Sequence, residues 1–329
     1  MSPASGHEGK RLLVLVQAAG RQSFEDFLEI AREIVKLDPG ILVHIVTPQD
    51  TADIVPAYKW RLPSLTVSFS DTKRFVPPRG PLLANRPIKK QDQHARFAAL
   101  GIATPFTERF SFGTAYREDC FGPLAVLKTL PLGKSSFANS LQLFRTRKLA
   151  ELRPPDFPET HFLRQAPALV QQFIDTGPNP AYYRVLALFG EPLLWMKVFS
   201  PIPRVSLEAS DEDIERIAVD PRMGAVARAF DAADGISYDV PDDVIAFARR
   251  MTTAFPSIPL QACDILTEHG TGKHYAIEIN AGGNTWDFSS QRVAAGIGIF
   301  GGREGLIARY DPWPRAARAL VTQVRERAF

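Results

Sequence analysis

The sequence predicts an α/β entry unit followed by a longer α+β body, and three observations carry that prediction. Short apolar runs at 12–18, 41–47 and 65–69 surround one amphipathic segment, the pattern of strands and a helix in a parallel sheet. A stretch rich in Pro, Arg and Gly, residues 72–87, then reads as a linker. Beyond it, strand-like runs come in neighbouring pairs around glycine turns, as antiparallel hairpins do.

Composition narrows the class. With 329 residues, 45% of them hydrophobic, the chain has material for two or three packed units. The net charge is only +3 with the basic residues dispersed, which argues against nucleic acid as a partner. No apolar run approaches the roughly 20 residues of a membrane span. Residues 1–10 are polar and lack the apolar core of a signal peptide, so the expectation is a cytoplasmic protein without a membrane partner. Cys120 and Cys263 suggest neither a zinc site nor a disulfide framework.

Taken in order, the first apolar run is a strand, and Ser23-Phe24-Glu25-Asp26 opens a helix that lasts to Leu37, where Pro39-Gly40 stops it. The turn at 18–22 lacks a Gly-x-Gly-x-x-Gly pattern, which argues against dinucleotide binding there. A unit boundary is expected near residue 87. A helix from about Ile88 ends at Leu100-Gly101, and Pro105 follows. The strand at 124–129 carries Lys128 among apolar residues, and a lysine in that setting calls for an anion unless it is an edge residue whose stem snorkels to water. Gly133-Lys134-Ser135 is not a Walker loop, because Lys128 stands where that motif needs glycine. Residues 139–152 read as a helix whose Arg145–Lys148 run is a solvated face, and 168–175 as a strand.

Two hairpins follow. The first joins 182–189 to 192–199 about Gly190-Glu191, and a symmetric turn sets Arg184 opposite Lys197. Two facing cations would need an anion between them, whereas a register slip of one residue would part them. Helices are expected at 211–218, 222–234, 242–255 and 314–327. The second hairpin joins 260–267 to 274–280 through His269-Gly270-Thr271-Gly272. A turn centred on Thr271 places Asp264 opposite Glu278, with Asn280 on their face and Cys263, Ile265, Ile277 and Ile279 on the core side. Facing carboxylates repel, so either a cation lies between them or the face is simply wet; oxygen donors without His or Cys suit Mg2+ or Mn2+.

The order Asp264, Glu278-x-Asn280, Gly282-Gly283 resembles the metal-binding end of the ATP-grasp ligases, and the likeness extends over roughly 88–300. The resemblance implies an ATP-grasp fold: a small Rossmann-like N-terminal domain (1–87), a central lid subdomain (88–170) and a C-terminal subdomain with the metal site (171–329). It implies that Lys89 or Lys90 and Lys128 meet the nucleotide, unless the first two are solvated helix lysines. It also implies that the backbone of Gln171, Gln172, Phe173 and Ile174 meets adenine and that Asp175 meets ribose, plain strand being the alternative. Arg184 and Lys197 would then face the triphosphate, while Arg292 and Ser289 are near enough to the metal hairpin in sequence to face an acyl substrate. The implied activity is an ATP-dependent carboxylate–amine ligase using two Mg2+ ions and an acyl phosphate. Its partners would be a small-molecule or peptide carboxylate and an amine acceptor, with a homodimer compatible. A small-molecule kinase and a nucleotide-binding protein without turnover stay open on the same scaffold.

Overall fold

In the computed structural model, residues 9–72, 74–129, 141–200, 203–204, 206–214, 235–281, 286, 288–289 and 302–329 are described. Three sheets organise them. The first is parallel, with strands β1 (Arg11–Val16), β2 (Ile41–Val46), β3 (Ser64–Ser68) and β4 (Leu82–Ala84) in the order β2-β1-β3-β4. Its central strand β1 is buried from Leu12 to Val16 because both faces are covered, which is why it reads as an unbroken apolar run. Leu13 and Leu15 pack beneath helix α1 (Phe24–Leu37), while Leu12, Val14 and Val16 pack against Trp60 and Phe75 on the other side. The expected linker contains β4, a short strand added at the sheet edge by Thr66↔Leu82 pairing.

The second sheet, ordered β5-β8-β6-β7, comprises β5 (Thr107–Arg109), β6 (Leu124–Thr129), β7 (Leu141–Arg145) and β8 (Ala168–Gln172). Here the expected helix at 139–152 is replaced by β7 and a single 3-10 turn at Thr146–Lys148. Pairing with β6 decides the outcome: Phe144 enters the core with Ala125 and Leu127, while Leu143 faces the other way, towards Leu124. The basic run is not merely solvated either. Arg145, Arg147 and Lys148 converge on Asp211 at 3.1, 3.1 and 3.3 Å.

The third sheet is antiparallel, in the order β11-β10-β9-β12-β13, with β9 (Ala181–Leu188), β10 (Glu191–Phe199), β11 (Gly235–Ser237), β12 (Leu260–Thr267) and β13 (His274–Asn280). Helix α2 (Lys90–Ala99) packs on β13; α3 (Glu118–Phe121) and α4 (Phe162–Gln165) belong with the second sheet. Helix α5 (Asp242–Thr252) covers one face of the third sheet, and α7 (Pro312–Arg327), preceded by α6 (Gly302–Tyr310), covers the other. The first and third sheets share one apolar cluster in which Leu13 and Leu65 join Leu186, Leu260 and Leu320. Asp26 of α1 is buried within it, accepting hydrogen bonds from Trp286 Nε1 at 2.8 Å and from Arg303. The expected helix at 222–234, most of the one at 211–218, and the Gly133-Lys134-Ser135 segment lie outside the described residues.

Candidate functional site

The expected register of the second hairpin is present: Asp264 pairs with Glu278, and Gly270 and Gly272 take the left-handed conformations (φ +87° and +71°) that the reversal needs. A bulge follows at once, since Ile265 pairs with Ala276. The extra residue is Ile277, which leaves the expected core face and packs with Leu266 and Tyr275, while Ala276 takes its place beside Ile265 and Ile279. Asn280 joins the two carboxylates, its Nδ2 donating to Asp264 Oδ2 at 2.9 Å and to Glu278 Oε1 at 3.2 Å.

The cation that two facing carboxylates require is supplied by the protein. Arg184 of β9, directly opposite Asp264, donates Nε to Oδ1 and Nη2 to Oδ2, both at 2.8 Å. Lys90 Nζ lies 2.7 Å from Glu278 Oε2, with both side chains about one fifth exposed. Burial pushes the Asp264 carboxyl above its usual range while Arg184 works against it. Burial also acts upward on Glu278, but Lys90 beside it, aided by Lys128 and Asn280, holds that carboxyl below its usual range.

Lys128 comes to the same place from the second sheet. It is 9% exposed, and its Nζ donates to Gln171 Oε1 at 2.9 Å; Gln171 Nε2 in turn donates to Thr107 Oγ1 at 2.8 Å. Burial and the nearby Lys90 push the Lys128 ammonium down to about 8, with Glu278 opposing. His94, one helical turn beyond Lys90, completes the cluster. Burial, then Lys128 and Lys90, lower its pKa to about 4, and neither buried ring nitrogen has a hydrogen-bond partner among the described residues. Helix α2 is held in this phase by Gln93, whose Oε1 accepts from Ile279 N at 2.6 Å and whose Nε2 donates to Ile279 O at 3.1 Å. Lys90, Gln93 and His94 therefore share one helix face at the i, i+3, i+4 spacing.

Several expectations are corrected here. Lys89 is exposed at the helix N-cap, and Lys90 is the lysine that enters the cluster. Arg184 does not face Lys197. The turn falls one residue early, on Phe189-Gly190, and a bulge at Leu193 leaves Met196 opposite Arg184 and Lys197 opposite Tyr183. Lys197 thus lies on the other face of the sheet, its Nζ 5.8 Å from the Tyr183 ring centroid. Arg292 lies outside the described residues, and the Ser289 hydroxyl accepts the Ser23 N–H at 2.8 Å, at the start of α1.

The segment after β8 spans the two sheets. The Gln172 side chain accepts from Phe106 N at 3.2 Å, Phe173 packs with Leu124, and Ile174 is buried with Leu266 and Tyr275. Asp175 Oδ1 accepts from Gly177 N at 2.8 Å and Arg204 Nη2 at 2.7 Å. His94 and Gln93 were not singled out from sequence, although their spacing from Lys90 on an amphipathic helix was a signal that could have found them.

Two carboxylates joined by an amide form an oxygen-rich donor set that fits a hard divalent cation, with Lys90 and Arg184 holding the compensating charge in its place. A half turn of the Asn280 amide presents its oxygen instead of its nitrogen. Among the described residues, no group of three His, Cys, Asp or Glu side chains could hold a metal by itself, so the amide is needed.

No protein-family model matches the chain, and no curated protein matches it. Among solved structures it is similar to the ATP-grasp ligase PsnB complexed with minimal precursor, at 12% identity and a TM-score of 0.49 over 94% of this chain and 99% of that one. It is also similar to the D-alanine–D-alanine ligase of Bacillus anthracis (13%, 0.43, 95% and 99%). A third similar structure is the macrocyclase MdnC of Microcystis aeruginosa bound with precursor peptide MdnA (12%, 0.46, 96% and 99%).

Proposed function

We propose that the chain is an ATP-grasp ligase that uses ATP to join a carboxylate to an amine through an acyl phosphate, releasing ADP and phosphate. The observation that carries this reading is the convergence of Lys90, Lys128 and Arg184 on Asp264, Glu278 and Asn280 from three separate elements. Three cations against two carboxylates leave positive charge in excess, in a half-buried setting where an anion is strongly favoured. A polyphosphate accompanied by a divalent ion satisfies both sets at once.

In this reading Lys128, held by Gln171, meets a phosphate from the second sheet, while Lys90 and Arg184 meet it from α2 and the third sheet. Asp264, Glu278 and Asn280 would hold Mg2+, which when bound would neutralise phosphate charge as the γ phosphoryl group moves. With those carboxylates on a cation, Lys90 and Arg184 would be the charges available to the phosphates. The Gln171–Ile174 backbone would meet adenine and Asp175 the ribose. Residues 1–87 form the entry unit, 88–170 the lid and 171–329 the metal-bearing body. The substrate carboxylate attacks the γ phosphorus with ADP leaving, and an amine then attacks the acyl carbon with phosphate leaving. The oxyanion of that second step needs a cation, for which Arg184 is the residue at hand.

The test supplies ATP, Mg2+ and a panel of carboxylates labelled with heavy oxygen, with and without amines. ADP release that depends on the acid, with one labelled oxygen recovered in the phosphate, supports the acyl phosphate. A stable phosphoester instead of an amide makes the enzyme a kinase. No turnover and no thermal stabilisation by millimolar MgATP rejects the nucleotide site altogether.

A further inference from the structure

A cavity of about 580 Å³ opens at the end of the third sheet where β9 turns into β10, with α5 on one side and α7 on the other. It is separate from the central cluster: Gln261, on its wall, lies three residues before Asp264 on β12 and faces the opposite side of the sheet. We propose that this cavity binds a small dicarboxylate that also carries a hydroxyl group.

Charge is the first argument. Arg249, Arg318 and Arg327 line the cavity, and Glu191 is the sole carboxylate among its described lining residues, which leaves an excess of two positive charges. Glu191 is itself shared between Arg249 at 3.9 Å and Arg315 at 3.4 Å. A dianion balances the remainder, and guanidinium forks are suited to carboxylates.

Hydrogen bonding is the second and independent argument. Gln261 is 1% exposed, and its Nε2 faces the carbonyls of Phe255 and Ile258 at 3.0 Å each and of Thr252 at 3.4 Å. Those carbonyls fix which way round the amide sits, so Oε1 points away from them, and it is buried without a donor. Gln323, on the α7 wall, likewise has a buried Oε1 without a donor among the described residues. Two acceptors without donors lie in the walls of a cavity lined by three guanidiniums, and a hydroxyl on the ligand would satisfy one of them, which a simple anion cannot do.

The turn supplies a third observation. Phe189 holds φ +50° and Gly190 φ +86°, the two left-handed residues of a tight hairpin turn in which Asn-Gly would be unstrained. A bulky side chain kept in that conformation lines the cavity at a cost of about 1 kcal/mol.

Calorimetric titration with L-malate, and with succinate as the equally charged probe lacking the hydroxyl, tests the proposal on the whole chain. L-malate should bind, and succinate should bind about 5-fold or more weakly, the scale of one lost hydrogen bond. Exposed Arg318→Ala, expected to fold normally, should weaken L-malate by at least about 5-fold, whereas Lys128→Met should leave it unchanged. No heat at 10 mM L-malate (roughly the weakest affinity worth calling a site), equal binding of succinate, or an unaffected Arg318→Ala overturns the proposal. Loss of binding in Lys128→Met but not Arg318→Ala assigns the acid to the central cluster, and also overturns it. Gln261→Met, checked for folding by its thermal transition, should reduce the preference for L-malate over succinate; an unchanged preference removes the buried amide from the argument and the proposal with it.

Discussion

Replacing Lys128 by Met tests the central cluster without any ligand. Burial and Lys90 push the lysine from its ordinary 10.5 down to about 8, so the folded chain works against a charge that the unfolded chain carries freely. At neutral pH that opposition corresponds to about 3 kcal/mol. Between pH 8 and 10.5 the unfolded chain keeps a proton that the folded chain has given up, so this group makes stability rise with pH across that window and adds nothing beyond it. Urea unfolding of wild type and Lys128→Met at pH 7 and pH 10 isolates the effect, because the groups that Lys128 itself shifts, His94 and Glu278, are held below this pH range. The stability gap should move by about 2–3 kcal/mol in favour of wild type from pH 7 to pH 10. Methionine also gives up the Gln171 bond and gains apolar contact, but neither depends on pH, so only the change in the gap matters. A gap that is the same at both pH values would mean that Lys128 is solvated, and the convergence around Glu278 would lose its phosphate-facing member.

Three further outcomes are expected. Arg184→Leu leaves Asp264 buried without its bidentate partner, and should cost about 3 kcal/mol at pH 7 by chemical denaturation; part should return on acidification, because the folded variant then binds a proton more tightly than the unfolded chain. Glu278→Gln should lower turnover at least ~100-fold, the scale of one preorganised electrostatic contact. The same change should lower the melting temperature in metal-free buffer, because Lys90 and Lys128 lose their shared carboxylate; an active or more stable variant would refute the assignment. Cys263→Ser and Cys120→Ser should leave turnover largely intact, since neither thiol lies in the cluster and burial drives the Cys263 thiol upward; lost turnover in a folded, nucleotide-binding variant would indicate covalent chemistry.

What was legible in the sequence depended on how local its causes were. The Asp264–Glu278 register could be read because glycines on both sides of Thr271 centre the turn. The Arg184–Lys197 register could not, because Phe189 sits where turn rules favour Asn or Gly, and because a bulge leaves no mark in a run such as Pro192-Leu193-Leu194. The segment around Leu143 and Phe144 carries apolar residues that suit either period over so short a span, and only pairing with β6 chooses between them. Lys90 and Lys89 differ by 100° of helix phase, which Gln93 sets from a distance through its bonds to Ile279. Arg184 as the partner of Asp264 depends on β9 and β12 being neighbours, a fact of topology that neither strand announces.

The Gln93 amide has a consequence beyond holding a helix. Strand β13 is the last in its sheet, and an open last strand is a template on which another chain can add itself. By taking both the N–H and the C=O of Ile279, Gln93 does what one residue of a further strand would do. Asn85 does the same at Leu260, donating to its carbonyl at 2.7 Å and accepting its N–H at 2.9 Å. Leu260 lies on β12, inside the sheet and beyond its last pair with β13, Ala262↔Asn280, so of the two amides it is Gln93 that closes a position on the outer strand. Gln93→Ala should therefore be read for aggregation as well as for activity: the strand bearing Glu278 and Asn280 would be left both misaligned with α2 and open to other chains.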